Sequence, residues 1–367
     1  MTDVTLSDEQ RQLVDACTRL VGRADVGLPP PGTGVPVDEM AWSALVDAGF
    51  VAMRAPASVG GGDATALDVA LVVEQLARGP VAVPYLGTVL ALELAGAASG
   101  GGEVVEAVVA GLAHGVVLDH DLRRFDEQGV ALDAGPGVSV LGLRWSGTTA
   151  EVVRTSAGAA LDGVDLTRPL ATVGPEGLSS RLVGPGSTQR SSTGPGALSV
   201  GLGVLDGAAV IRVEAYALTL LCADLLGAMH AALDAAVVHA GERVQFGQPV
   251  GAFQAVQHLC ADALVSTESA RSIMWHAAWA VDAEPPLVAL DLARVAKAHC
   301  SQVALEVVEA AIQVWGGGGI TWGCRAHLHQ RRVLLSRRIL GDEHVHLGMI
   351  ADSLRREVRG GSDVGGV

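Results

Sequence analysis

The chain has a single lysine, Lys297, in 367 residues. Its 25 basic residues face 40 acidic ones, for a formal net charge of −15. Phosphate backbones are held by clustered positive charge, so this balance argues against nucleic acid as a partner. A disulfide framework is also missing. The five cysteines (Cys17, Cys222, Cys260, Cys300 and Cys324) are odd in number and scattered through apolar helical patterns. They read as small buried hydrophobes in a reducing compartment. Residues 1–10 lack the basic and apolar regions of a secretory leader. Polar residues interrupt every long apolar stretch, so no membrane span is expected. The expected location is the cytoplasm.

What is present is the material for a large interior. Hydrophobic residues make up 49% and charged residues 18%. That excludes a disordered chain. The length exceeds one ordinary core and suits two or three packed domains.

The first third reads helical. Ser7 followed by Gln10 forms a capping box for a first helix. A second helix is expected from Val37 to Ala48, stopped by Gly49, and a third from Ala66 to Arg78, stopped by Gly79-Pro80. The stretch 58–65 reads as a loop. Two further helices fit 84–95 and 103–113. From His114 to about Leu205 the chain turns Gly-, Ser-, Thr- and Val-rich. Short runs at 115–118, 138–143 and 151–155 fit strands between turn signals. Helical periodicity returns after Gly207, with Leu218, Leu221, Leu225, Met229 and Leu233 on one stripe. Three more helices fit 253–283, 287–315 and 324–357. The expected fold is mainly α with a small β middle domain (α+β). It comprises a helical domain over 1–113, a short β-barrel or sandwich over 114–205, and a four-helix bundle over 206–367.

Two motifs punctuate the bundle. The first is "GERVQFGQPVGAFQ" at 241–254, with Arg243, Phe246, Gly247, Pro249, Val250, Gly251, Phe253 and Gln254. The second is "QVWGGGG" at 313–319, with Gln313, Gly316, Gly317 and Gly319. Together with the loop and helix at 55–79, they resemble the acyl-CoA dehydrogenase family. The resemblance spans nearly the whole chain, with the middle domain as the exception. It implies an FAD-dependent oxidation of an acyl-CoA to a 2,3-enoyl-CoA. In the family, the arginine and the Gly-Gly segment contact the flavin of a neighbouring subunit. A guanidinium can clamp a pyrophosphate bidentately, and glycines let the backbone come close. Arg243, Gln245, Phe246, Gln313, Gly316 and Gly317 are therefore candidate FAD contacts at a subunit interface. The plainer reading is that they only fix helix ends and turns.

The catalytic carboxylate is what the sequence lacks most. The step needs a base. Counted from Gly316-Gly317, the family's usual glutamate position falls at Leu340; counted back from Arg243, the alternative position falls at Ala217. Glu343 and Glu214 lie nearby and are the alternatives for a relocated base. The middle domain also lacks the family's Gly-Ser-Asp strand segment and its Asn-Gly-x-Lys turn. The chain thus resembles the non-catalytic subunit of actinobacterial α2β2 acyl-CoA dehydrogenases, which act on bulky acyl-CoA thioesters including steroid side chains. That implies a homologous subunit as partner. Two alternatives stay open: a self-sufficient enzyme with a relocated base, and a repurposed, flavin-free biosynthetic member of the fold.

The remaining signals carry less. Cys324, His327 and His329, with His344 and His346, invite a zinc reading. Histidines at i and i+2 of a helix point to different sides, however, and no CxxC pair completes a tetrahedral set, so no metal is expected. Arg331, Arg332, Arg337 and Arg338 suit a nucleotide phosphate, or acidic partners at a subunit contact, or water.

Overall fold

The computed structural model describes residues 6–22, 29–30, 33–79, 81–174 and 199–361, with side chains through Arg355. Pro80, residues 175–198 of the middle stretch and the outermost residues of both ends lie outside the described residues.

Five helices open the chain: α1 (Asp8–Val21), α2 (Glu39–Asp47), α3 (Ala66–Arg78), α4 (Tyr85–Ala97) and α5 (Gly102–Val109). α1 starts on the Ser7/Gln10 capping box, with both reciprocal bonds at 3.1 Å. α3 starts on a second box, Thr65 with Asp68. α5 ends four residues earlier than its expected limit at 113. Gly111 adopts φ +89, which ends a helix, and a side chain there would strike Val46.

Seven strands follow: β1 (Gly115–Leu118), β2 (Gly129–Leu132), β3 (Ser139–Ser146), β4 (Thr149–Ser156), β5 (Ala160–Leu161), β6 (Leu170–Val173) and β7 (Val200–Leu205). They form one sheet in the order β5-β6-β2-β1-β3-β4-β7. All pairs are antiparallel except β1 with β3. Side chains alternate between its faces. Val116, Leu118, Leu132, Leu141 and Leu143 join the main core; Val117, Ala131, Val140 and Ala171 form a smaller cluster on the other face.

The bundle contains α6 (Gly207–Glu242), α7 (Gln254–Ala283) and α8 (Pro286–Trp315). α6 is its axis, packing on α3, α7 and α8. It is long and apolar enough to cross a membrane, yet 72% of its apolar window is buried inside the protein. A helix that is apolar all round and enclosed by others is a core helix.

The fourth bundle helix, expected as one element over 324–357, is two: α9 (Ala326–Ser336) and α10 (Glu343–Gly361). Leu340 at φ +58 and Gly341 at φ +100 cannot continue a helix. The break frees backbone carbonyls. Lys297, fully buried on α8, takes them: its ammonium donates to Arg337 O and Gly341 O, each at 2.8 Å, and to Ser301 Oγ at 3.2 Å. Burial pushes its pKa down to about 8, and three acceptors match the three protons of the charged form.

Sheet, bundle and first helices meet on a buried ionic cluster. Arg168, between β5 and β6, donates to both oxygens of Asp133 at 3.2 Å and to Asp224 of α6 at 3.0 Å. Arg332 of α9 donates to Thr167 Oγ1 at 3.0 Å and lies 3.5 Å from Asp165. Ser336 donates to Asp224 at 2.6 Å, and the Gly87 amide of α4 donates to Asp133 at 2.7 Å. Burial pushes the Asp133 carboxyl up, and Arg168 draws it back down. Breaking a buried ion pair from one side leaves an uncompensated charge, at a cost of about 3–5 kcal/mol. Arg168→Met is therefore expected to destabilise the fold by about that amount, read from urea unfolding; a midpoint equal to wild type would refute the clamp.

Candidate functional site

α6 ends at Glu242, and the chain turns through a two-stranded hairpin, Val244–Gln245 paired with Gln248–Pro249. Its tip is Phe246-Gly247, at φ +53 and φ +81. Positive φ at both central residues is the tight hairpin turn whose twist suits the strands. Phe246 takes that strained backbone while 93% exposed, its ring edge-on to Phe253 with centroids 6.1 Å apart. A large aromatic held in an unfavourable φ and left in water is a feature to explain. Val244 beside it and Val237 and Val238 on the last turns of α6 are also exposed.

Arg243, the residue before the hairpin, borders a cleft of about 840 Å³ between the end of α6, the end of α8 and the start of α9. Gly317 and Gly318 form part of its wall, and a side chain at either would stand in open space. The structure thus brings Arg243 and Gly317 to one place. Gln313 and Gly316 lie exposed on the adjoining end of α8 and its exit turn. Gln245 is exposed on the hairpin, its amide donating to Val244 O.

The inner wall was not legible from the motifs. Trp315 stacks on His239, ring centroids 4.0 Å apart. His329 of α9 lines the cleft and is 7% exposed. Trp315 Nε1 and His329 Nδ1 are both buried without a hydrogen-bond partner. Burial, reinforced by Arg332, pushes the His329 pKa down to about 4, so its ring is neutral near pH 7. Among the described residues that line the cleft, none is a carboxylate. His327, the other histidine of the zinc reading, stacks instead on Trp322 at 4.8 Å.

The two residues at the expected base positions are apolar and enclosed. Ala217 is inside α6, and Leu340 is buried in the same core, its amide donating to Leu122 O of the sheet region. Glu214 pairs with Arg294 at 3.3 Å. Glu343 is buried rather than solvated, and Arg337 donates to it twice. That pairing holds the Glu343 carboxyl below its ordinary value. Of the arginine stripe, Arg332 is neither at a surface nor free for a phosphate, because it sits in the buried cluster. Arg331 lies over the Trp322 ring, and Arg338 is exposed.

The family description "Acyl-CoA dehydrogenase, N-terminal domain" matches residues 7–115, and "Acyl-CoA dehydrogenase, C-terminal domain" matches residues 216–355. The acyl-CoA dehydrogenase IpdE2 of Mycobacterium tuberculosis is 32% identical over 307 residues, 83% of each chain. The chain belongs to the acyl-CoA dehydrogenase family. Solved structures share the fold. The Tcur3481-Tcur3483 steroid acyl-CoA dehydrogenase has a TM-score of 0.75 at 20% identity, covering 97% of this chain and 100% of that one. The ChsE4-ChsE5 complex from Mycobacterium tuberculosis has a TM-score of 0.75 at 21% identity, covering 96% and 99%. Butyryl-CoA dehydrogenase from Megasphaera elsdenii has a TM-score of 0.69 at 19% identity, covering 96% and 100%.

For an acyl-CoA dehydrogenase, the cleft suits part of a flavin dinucleotide. It offers a guanidinium, close glycine backbone and two unpartnered ring nitrogens. Ala217 and Leu340, where the resemblance leads one to expect a base, carry no carboxylate. The Glu343–Arg337 pair has a directional consequence. A depressed carboxyl pKa contributes stability above its unfolded value, and that stability is lost as the pH falls through the folded value. Glu343→Gln is expected to flatten the acid limb of the stability–pH curve. An acid limb identical to wild type would refute the pairing.

Proposed function

We propose that this chain is the non-catalytic subunit of a heteromeric acyl-CoA dehydrogenase, completing the FAD site of a homologous sister chain. The complex would oxidise an acyl-CoA, with a bulky or steroid-derived acyl group, to the 2,3-enoyl-CoA. The observation that carries this reading is the split between the two half-sites. Arg243 and Gly317 share an open cleft beside an outward-facing Phe246, while Leu340 and Ala217 are buried in apolar core. A chain built to use its own acyl site would not lock the base position into a left-handed turn tied to Leu122.

The exposed hairpin supports a partner surface. Phe246, Val244, Val237 and Val238 are apolar side chains in water at the rim of the cleft. Burying such a patch against a second subunit releases ordered water at about 25 cal/mol per Å². A bound flavin would supply the acceptor for the hydride of the acyl β-carbon. The sister chain supplies the carboxylate that takes the α-proton. This chain's part is to clamp and orient: Arg243 holds negative charge, and the Gly317–Gly318 backbone allows close approach. The relatives point the same way. IpdE2 is named as an acyl-CoA dehydrogenase, Tcur3481-Tcur3483 as a steroid acyl-CoA dehydrogenase of two paired chains, and ChsE4-ChsE5 as a complex.

Glu343 keeps a second reading alive, because it is a carboxylate three residues from Leu340. Its pairing with Arg337 lowers its basicity, which opposes that role.

The test is co-purification. The chain alone is expected to be colourless. With its sister it is expected to show flavin absorbance at about 450 nm. Arg243→Ala in the complex should weaken flavin retention roughly ten- to hundredfold, as loss of a charge-assisted contact implies. Acyl-CoA turnover by the lone chain, abolished by Glu343→Gln, would replace this proposal with the self-sufficient enzyme.

A further inference from the structure

The first two helices enclose a second concavity, which shares no residue with the cleft beside Arg243. It is an open groove of about 660 Å³ between the C-terminal half of α1 and α2. Leu20 of α1 and Ala41 and Ala44 of α2 give it an apolar lining, and Met40 stands on its α2 wall, 82% exposed. A long, unbranched apolar side chain left in water beside an apolar groove is a feature that a partner would bury.

The charges on the walls narrow the partner. Arg19 lies on α1 and Asp47 on α2, both exposed and both lining the groove. Among the described residues, neither has an ion pair or a side-chain hydrogen bond. Asp38, the third charged residue of the lining, is already used: it accepts from the Ala41 amide at the start of α2, at 2.9 Å. The groove thus presents an unpaired cation on one wall and an unpaired anion on the other.

A surface of this kind is complementary to itself. A second copy laid face to face by a two-fold axis along the groove sets its α2 wall over the first copy's α1 wall, and the reverse. Arg19 of each copy then meets Asp47 of the other, and each Met40 faces the wall that carries Leu20. Isologous contacts are reciprocal in this way. A two-fold axis across the groove would instead set Arg19 on Arg19 and Asp47 on Asp47, which like charge disfavours.

We propose that the α1–α2 groove is a self-association surface whose partner is a second copy of this chain, held by two reciprocal Arg19–Asp47 pairs across an apolar seam centred on Met40. The inference does not rest on the cofactor-completing reading, because none of its residues belongs to the flavin cleft or the hairpin.

Sedimentation velocity of the full chain over a concentration series tests it. If the chain is soluble only with its sister, the same series is run on the complex, where pairing joins complexes through this groove. Arg19→Asp and Asp47→Arg each place like charges opposite one another twice, and each should weaken association about tenfold. The double variant restores both pairs with their signs exchanged and should return to wild-type association, a rescue that a general loss of stability would not give. Should one reversal fail to fold, Met40→Glu replaces it and should also weaken association. A wild-type protein whose sedimentation does not depend on concentration overturns the inference. So does association that the single reversals leave unchanged or that the double variant fails to restore. Variants that lose the sister chain rather than the second copy give the groove to another partner and equally overturn it. A chain that carries no flavin with any sister would end the cofactor-completing reading and leave this test intact.

Discussion

Arg168 and Arg332, enclosed by Asp133, Asp165 and Asp224, hold three parts of the chain in one geometry. Asp133 follows a strand and caps the Gly87 amide of an early helix; Asp224 lies on the bundle axis; Arg332 lies on α9. Buried charges tolerate little misalignment, since each is stable only while its partners and hydrogen bonds are in place. Apolar packing alone would let the sheet slide over the bundle at small cost. The ionic cluster sets its register.

That register determines what the site is. α9 carries Arg332 into the cluster and, one turn earlier, His329 onto the cleft wall. Its far end leads into the left-handed turn at Leu340, held by Lys297 from below and by Leu122 from the sheet. The same short helix therefore borders the open cleft at one end and leads into the buried turn at the other. The sole lysine of the chain is spent inside, satisfying carbonyls at the break.

Much of the fold was legible. The capping box at Ser7, the glycine stops and the apolar stripe of α6 are local signals, and the elements formed where those signals stood. The break in the last bundle helix was not. Arg337 to Asp342 reads as helix by composition, and only Gly341 hinted otherwise. The turn is stabilised by Lys297, forty residues away, which no local pattern shows. Arg332 looked like a surface cation because its partners, Asp165 and Asp224, are far off in sequence.

The sequence by itself determined the helical–β–helical order, the two glycine and arginine motifs and the apolar residues at 340 and 217. These are matters of residue identity and short-range spacing. Only the tertiary structure decided that Arg243 and Gly317 share one cleft, that His329 and Trp315 line it with unpaired nitrogens, and that Glu343 is bound to Arg337. Those facts depend on how separate helices cross, and crossings are fixed by long-range packing and buried charge, which a linear pattern does not encode.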